Sequence, residues 1–176
     1  GTDSGFTTAD TITASTHVQL TATPAAQLSV TLNTLKLAGS GVDFPLDAAQ
    51  TLTLANGGLL KTGGGTVGTI SGGTAISPTV ELSVRTDTSS DLLTISTPIT
   101  GTQVMNKSGA GTLTLSGANT FTGVTHLNNG TLNLQNQLAL QSSTLTMRGG
   151  TVVFDSSVGG NAFTLGSLAA AFAQGL

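Results

Sequence analysis

Met105-Asn106-Lys107-Ser108-Gly109-Ala110-Gly111-Thr112-Leu113-Thr114-Leu115-Ser116-Gly117-Ala118-Asn119-Thr120-Phe121-Thr122-Gly123-Val124-Thr125-His126-Leu127-Asn128-Asn129-Gly130-Thr131-Leu132-Asn133-Leu134 is the stretch that decides the fold. Thr112 to Leu115 alternates hydroxyl and aliphatic side chains, the period of a strand with one buried face. Ser116-Gly117-Ala118-Asn119 reads as a turn, because Gly and Asn accept backbone angles that other residues resist. Thr120-Phe121-Thr122 reads as a second strand with Phe121 inward, Gly123 as the next bend, and Leu127 as the close of a third strand. Asn129-Gly130 then turns the chain into Thr131-Leu132-Asn133-Leu134. The separation of Thr112 from Thr131 is one coil of a β-solenoid. Leu113, Leu115, Phe121, Leu127, Leu132 and Leu134 are the expected core.

The same residues resemble the autotransporter-associated β-strand repeat, also called the passenger-associated transport repeat. Lys107, Gly109, Gly111, Thr112, Leu113, Leu115, Gly117, Asn119, Phe121, Gly123, Thr125, Leu127, Gly130 and Leu132 fill the family's positions in one register. Phe121 stands where the family usually has Tyr. The resemblance implies a large secreted bacterial protein and a right-handed parallel β-helix. The flanks from about Leu28 to Leu165 share the texture more loosely.

Composition agrees independently. Charged residues are 7%, against about 25% in an ordinary globular domain. No run approaches the roughly 18 apolar residues of a spanning helix, so Thr, Ser and Asn do the solvating and no membrane span is expected. A net charge of −3 and five basic residues (Lys36, Lys61, Arg85, Lys107, Arg148) leave no phosphate-tracking surface, so nucleic acid is not an expected partner. The chain has no Cys, which suits export as an unfolded thread. Gly1-Thr2-Asp3-Ser4-Gly5 is neither basic nor apolar, unlike a signal peptide, and an opening on Gly leads us to expect a processed or excised piece. Residues 1–176 are expected to form one β-solenoid segment of a larger passenger, with roughly eight coils about 4.8 Å apart.

Along the chain, Thr11-Ile12-Thr13, Val18-Gln19-Leu20, Leu28 to Leu32, Leu35-Lys36-Leu37, Thr51 to Leu54, Glu81 to Arg85 and Leu93-Thr94-Ile95 read as strands. Pro45 argues against a ladder strand over 42–46. Leu145, Met147, Val152 and Phe154 are expected inside. Lys61-Thr62-Gly63-Gly64-Gly65 has the wrong order for a phosphate loop, which places Lys after the glycines; a solenoid corner is the better reading. Gly72-Gly73 lacks the Asp of a calcium-binding nonapeptide.

Candidate chemistry is sparse. Thr86-Asp87-Thr88-Ser89-Ser90-Asp91 with Arg85 is the main charge cluster, and Asp87 and Asp91 are weak candidates for a calcium loop or a lyase site. The competing reading is a solvated turn in which Asp caps backbone amides. His17 and His126 stand alone in sequence, so no nucleophile, base and orienting acid are set together. With no Cys and distant His, zinc spacing is absent. Asn106-Lys107-Ser108 and Asn129-Gly130-Thr131 match the glycosylation pattern, as a Thr-rich chain does by chance. No catalytic residue, metal or cofactor is expected.

The residues leave several functions open. A non-catalytic extracellular stalk or filament section comes first. A surface module for adhesion or host and matrix glycans is the alternative, opposed by the lack of Trp and Tyr. A polysaccharide lyase or hydrolase is compatible with the fold, but Asp43, Asp47, Asp87, Asp91 and Asp155 are scattered. An ice-binding face would use Thr-x-Thr pairs such as Thr112/Thr114, whose spacing is irregular. The apolar end, with Leu168, Phe172 and Leu176, is expected either to form a short Ala-rich capping helix or to take the next coil, from more chain or from another copy stacked end to end.

Overall fold

A computed structural model describes residues 6–7, 12, 14–65 and 67–170. The chain forms β1 (Phe6–Thr7), β2 (His17–Leu20), β3 (Val30–Leu37), β4 (Val42–Leu46), β5 (Thr51–Lys61), β6 (Val67–Gly72), β7 (Ala75–Pro78) and β8 (Leu82–Thr86). It continues through β9 (Leu92–Ile95), β10 (Met105–Ser108), β11 (Thr112–Leu115), β12 (Thr125–Leu127), β13 (Thr131–Leu134), β14 (Leu140–Met147), β15 (Thr151–Phe154) and β16 (Leu165–Ala170). Among the described residues every strand pairing is parallel, as when a chain climbs by one coil at each revolution. One sheet runs β1-β2-β3-β5-β8-β10-β12-β14-β16, with β7 pairing β5; the other runs β15-β13-β11-β9-β6-β4. The first halves of β3 and β5, β7, and the Ile76–Ile99 bridge make a third side. The fold is an all-β solenoid.

Among the described residues the six-stranded sheet stacks six rungs and the longer sheet nine, so about six coils carry both sides, where a uniform ruler led to roughly eight. Contacts one coil apart span 20 residues around Asn119 but 25 between Gly72 and Thr97, because the earlier corners are longer.

Inward residues stack in columns. Phe44, Ile70, Ile95, Leu115, Leu134 and Phe154 are successive rungs of one. Leu113, Leu115, Phe121, Leu127, Leu132 and Leu134 are all buried, as expected. Other details differ from the sequence reading. Thr120–Thr122 is not a strand, although Phe121 points inward and the Thr120 amide donates to Ile99 O. Leu28 is exposed and precedes β3. Thr114, opposite the core face, is nonetheless buried, with Thr94 and Asn133 beside it on the adjoining coils. Thr11 and Thr13 lie outside the described residues, and Ile12 is in no strand. Leu168 to Ala170 belongs to β16, so those residues are not a capping helix; Phe172 and Leu176 lie outside the described residues.

The two ends of the six-stranded sheet differ. Pro45 does lie in a strand, but β4 is the edge strand, where a missing N–H is tolerated. Its open side is closed by the preceding loop: the Asp43 amide donates to Thr23 Oγ1, the Gln27 amide donates to Pro45 O, and Gln27 bridges Leu46. Val42 and Phe44 are therefore fully buried. At the other end, Leu145 and Met147 are covered or half-covered and Val152 is half-buried, whereas Phe154 is 49% exposed despite its inward rung. Phe154 stacks edge-on against Phe163, with centroids 5.0 Å apart. Leu168, next above Leu145, is 62% exposed.

Candidate functional site

The distinctive chemistry of this chain lies inside the coil. Val18, Leu35, Leu59, Val84, Lys107, Leu127 and Met147 form one inward column, so Lys107 occupies a rung of an otherwise apolar ladder. Its stem packs in that stack and its ammonium reaches the corner between β10 and β11. There Nζ donates to the carbonyls of Ser108 (2.8 Å), Gly109 (3.1 Å) and, on the next coil, Asn129 (3.1 Å). No carboxylate takes part in these bonds. Burial and the charge of Arg85 lower its pKa to about 8.

Lys61 repeats the device two coils earlier. It sits between Leu37 and Thr86 in the neighbouring inward column, two residues along from the rung Leu59, and is fully buried. Nζ donates to Gly39 O (3.2 Å) and Thr62 O (2.8 Å), and lies 3.9 Å from Asp91 Oδ1 on the following coil. Burial lowers the lysine pKa against the opposing pull of Asp91. Lys61-Thr62-Gly63-Gly64-Gly65 is thus a corner with an internal ammonium, as Lys107-Ser108-Gly109-Ala110-Gly111 is.

Asp87 and Asp91 part company. Asp87 accepts from Arg85 Nε and Nη2 at the surface. Asp91 is buried, and its Oδ2 accepts from the Thr88 amide at 3.0 Å and hydroxyl at 2.9 Å. Burial alone would push its pKa up, but the Thr88 bonds, the Lys61 charge and the Gly64 amide together lower it. The capping reading of this turn therefore describes Asp91, except that the turn is buried on that side. Among the described residues, no three His, Cys, Asp or Glu side chains converge.

Asn119, read from sequence as a turn residue, is a buried tie between coils. Its Oδ1 accepts from the Ile99 amide and its Nδ2 donates to Ala139 O, both at 2.8 Å. These bonds replace the ladder on the side where no continuous strand runs. Gln141 Nε2 donates to Asn119 O from the next coil. Beside them, Thr125 and Ser143 share a buried hydroxyl contact of 2.8 Å.

Coil stacking also gives the histidines neighbours that sequence order hides. His17 Nδ1 lies 2.8 Å from Thr34 Oγ1. Arg148 Nη2 donates to His126 Nε2 at 3.2 Å. Burial and Arg148 lower the His126 pKa, with Glu81 opposing. On the other motif positions, Gly109 and Gly130 have positive φ, and a Cβ on Gly130 would lie 2.4 Å from Gly109 O.

This is a parallel solenoid whose coils are clasped by buried polar side chains. Residues 105–134 match the family model of the passenger-associated-transport-repeat. No curated protein and no solved structure matches the chain. The matched window holds Lys107, Asn119 and Gly130, and the contacts above give physical reasons for those motif positions.

Proposed function

We propose that the chain is a non-catalytic structural section of a secreted, autotransporter-like passenger, a stalk that holds other surfaces away from the cell. The repeat match supports a passenger segment at the cell surface or beyond it. One observation carries the structural role: Lys61, Lys107, Asp91 and Asn119 spend their polar groups on neighbouring turns and coils. Chemistry that is turned inward holds a rod together and offers nothing to a substrate. We further propose that the exposed inward rungs Phe154 and Leu168 take another coil, from more chain or from a second copy.

A second reading, a surface that binds glycans, is favoured by a shallow outer groove along Thr34, Lys36, Gly58, Leu60, Ser83 and Arg85. Calorimetric titration with acidic and neutral polysaccharides separates the two. The stalk reading predicts no saturable binding and no cleavage. Saturable binding lost in Arg85→Ser would replace it with the adhesive reading, and polysaccharide cleavage would replace it with the enzymatic one.

A further inference from the structure

Asn129 and Gly130 form the exposed side of the corner between β12 and β13. The Gly130 amide donates to the Oδ1 of Asn129 itself at 2.8 Å. The side-chain carbonyl carbon is thereby folded against the nitrogen that follows it in the chain. Gly130, at φ 74°, carries no side chain to obstruct ring closure between them. On the inner side, Lys107 Nζ donates to the main-chain carbonyl of Asn129 at 3.1 Å.

We propose that Asn129 is a built-in deamidation site, activated by Lys107. Closure begins when a solvent base removes the Gly130 amide proton. The negative charge spreads from that nitrogen onto the Asn129 main-chain oxygen, the atom that Lys107 faces, so the ammonium stabilises the anion as it forms. The nitrogen then bonds to Asn129 Cγ, the Cγ–Nδ2 bond breaks, and Nδ2 leaves as ammonia with a proton from water. Water opens the resulting succinimide at either carbonyl, giving aspartate or isoaspartate, and no oxidant or reductant is involved.

The product would matter because this corner is tightly stacked. A single Cβ on Gly130 would come within 2.4 Å of Gly109 O and Gly111 O. The added backbone atom of isoaspartate strains the adjoining Thr131 amide to Gly111 O bond of 3.1 Å. Either product also sets a new carboxylate on the corner that Lys107 caps, much as Asp91 stands near Lys61. Deamidation is thus a timed change in how two coils are joined.

The chain carries its own reference in Asn56-Gly57, where Asn56 is exposed, Gly57 has φ 64°, and both lie within β5. Peptide mapping by mass spectrometry after ageing the purified chain measures both sites together. Asn129 should convert about tenfold faster than Asn56, a modest share of what one donor to a developing anion supplies in a buried site. Lys107→Met should lower that ratio towards one while circular dichroism stays native. Where that variant does not fold, the wild-type chain decides: the ratio should fall as the pH passes about 8, where Lys107 loses its charge. An Asn129 rate no greater than that of Asn56 overturns the proposal. So does a ratio unmoved by Lys107→Met in a folded protein, or unmoved by pH where the variant fails to fold.

Discussion

Lys61 and Gly68 are a matched pair: a Cβ on Gly68 would lie 2.8 Å from Lys61 Cδ and 3.2 Å from a methyl of Leu37. Gly68 occupies the rung between Val42 and Leu93 in an otherwise aliphatic column, and the lysine stem fills the volume its missing side chain leaves. Gly68→Ala should therefore cost about 1–3 kcal/mol through overpacking. In a Lys61→Ala background the same change should cost much less, because the colliding stem is gone. A double-mutant cycle in urea melts checks this, and additive losses would contradict the pairing.

Lys107 should leave a signature in the pH dependence of stability. Its native pKa of about 8 lies below the ordinary lysine value of 10.5. Below about pH 8 both states hold the proton and the burial penalty stands in full. Between those two values the unfolded chain binds more protons, so stability rises with pH. Relative to Lys107→Met, the wild type should gain up to about 3 kcal/mol across that window. With no Tyr or Cys in the chain, lysines are the side chains that titrate there, and Lys61 contributes with the same sign. Stability that falls across the window more steeply than in Lys107→Met would contradict the assignment.

Asn119→Leu should cost about 2–5 kcal/mol, since it strands the Ile99 amide and the Ala139 carbonyl in a buried site. Thermal melts against the exposed neighbour substitution Thr120→Ala give the comparison. A loss no larger than that of Thr120→Ala would show that the side-chain tie is dispensable.

Leu115→Ala should cost about 2–5 kcal/mol through lost transfer energy and the cavity left behind. Thr114 lies on the other face and is also buried, so Thr114→Ala should cost less than Leu115→Ala but more than a change at an exposed threonine such as Thr122. Denaturant midpoints for the three variants should fall in that order.

Strand period and corner residues made the fold legible. Thr112 to Leu115 and Thr131 to Leu134 alternate cleanly, and their register in the structure follows that alternation. The coil count was less legible, because corner length does not announce itself in the strands: Asp47 to Gln50 and Thr62 to Gly65 lengthen the early coils without altering their alternation. The clasps were hidden for a different reason. Lys and Asn are residues that solvent usually claims, and only the stacking of coils brings Asn129 O to Lys107 or Ala139 O to Asn119. Phe154 had an inward rung, but sequence alternation does not show whether another coil covers it.

Successive coils lie in register, one directly on the next. Thr112 and Thr131 are register partners in adjacent strands, and both are partly exposed. Adjacent parallel strands are about 4.8 Å apart, within the Cα separation that a disulfide spans. Because the chain has no cysteine of its own, the double variant Thr112→Cys, Thr131→Cys reports on this pair alone. Mild oxidation of the dilute folded protein should close an intramolecular disulfide, read as a mobility shift on non-reducing gels, while Thr112→Cys paired with Thr122→Cys should not close. Free thiols in the first variant, or equal closure in both, would contradict the coil register.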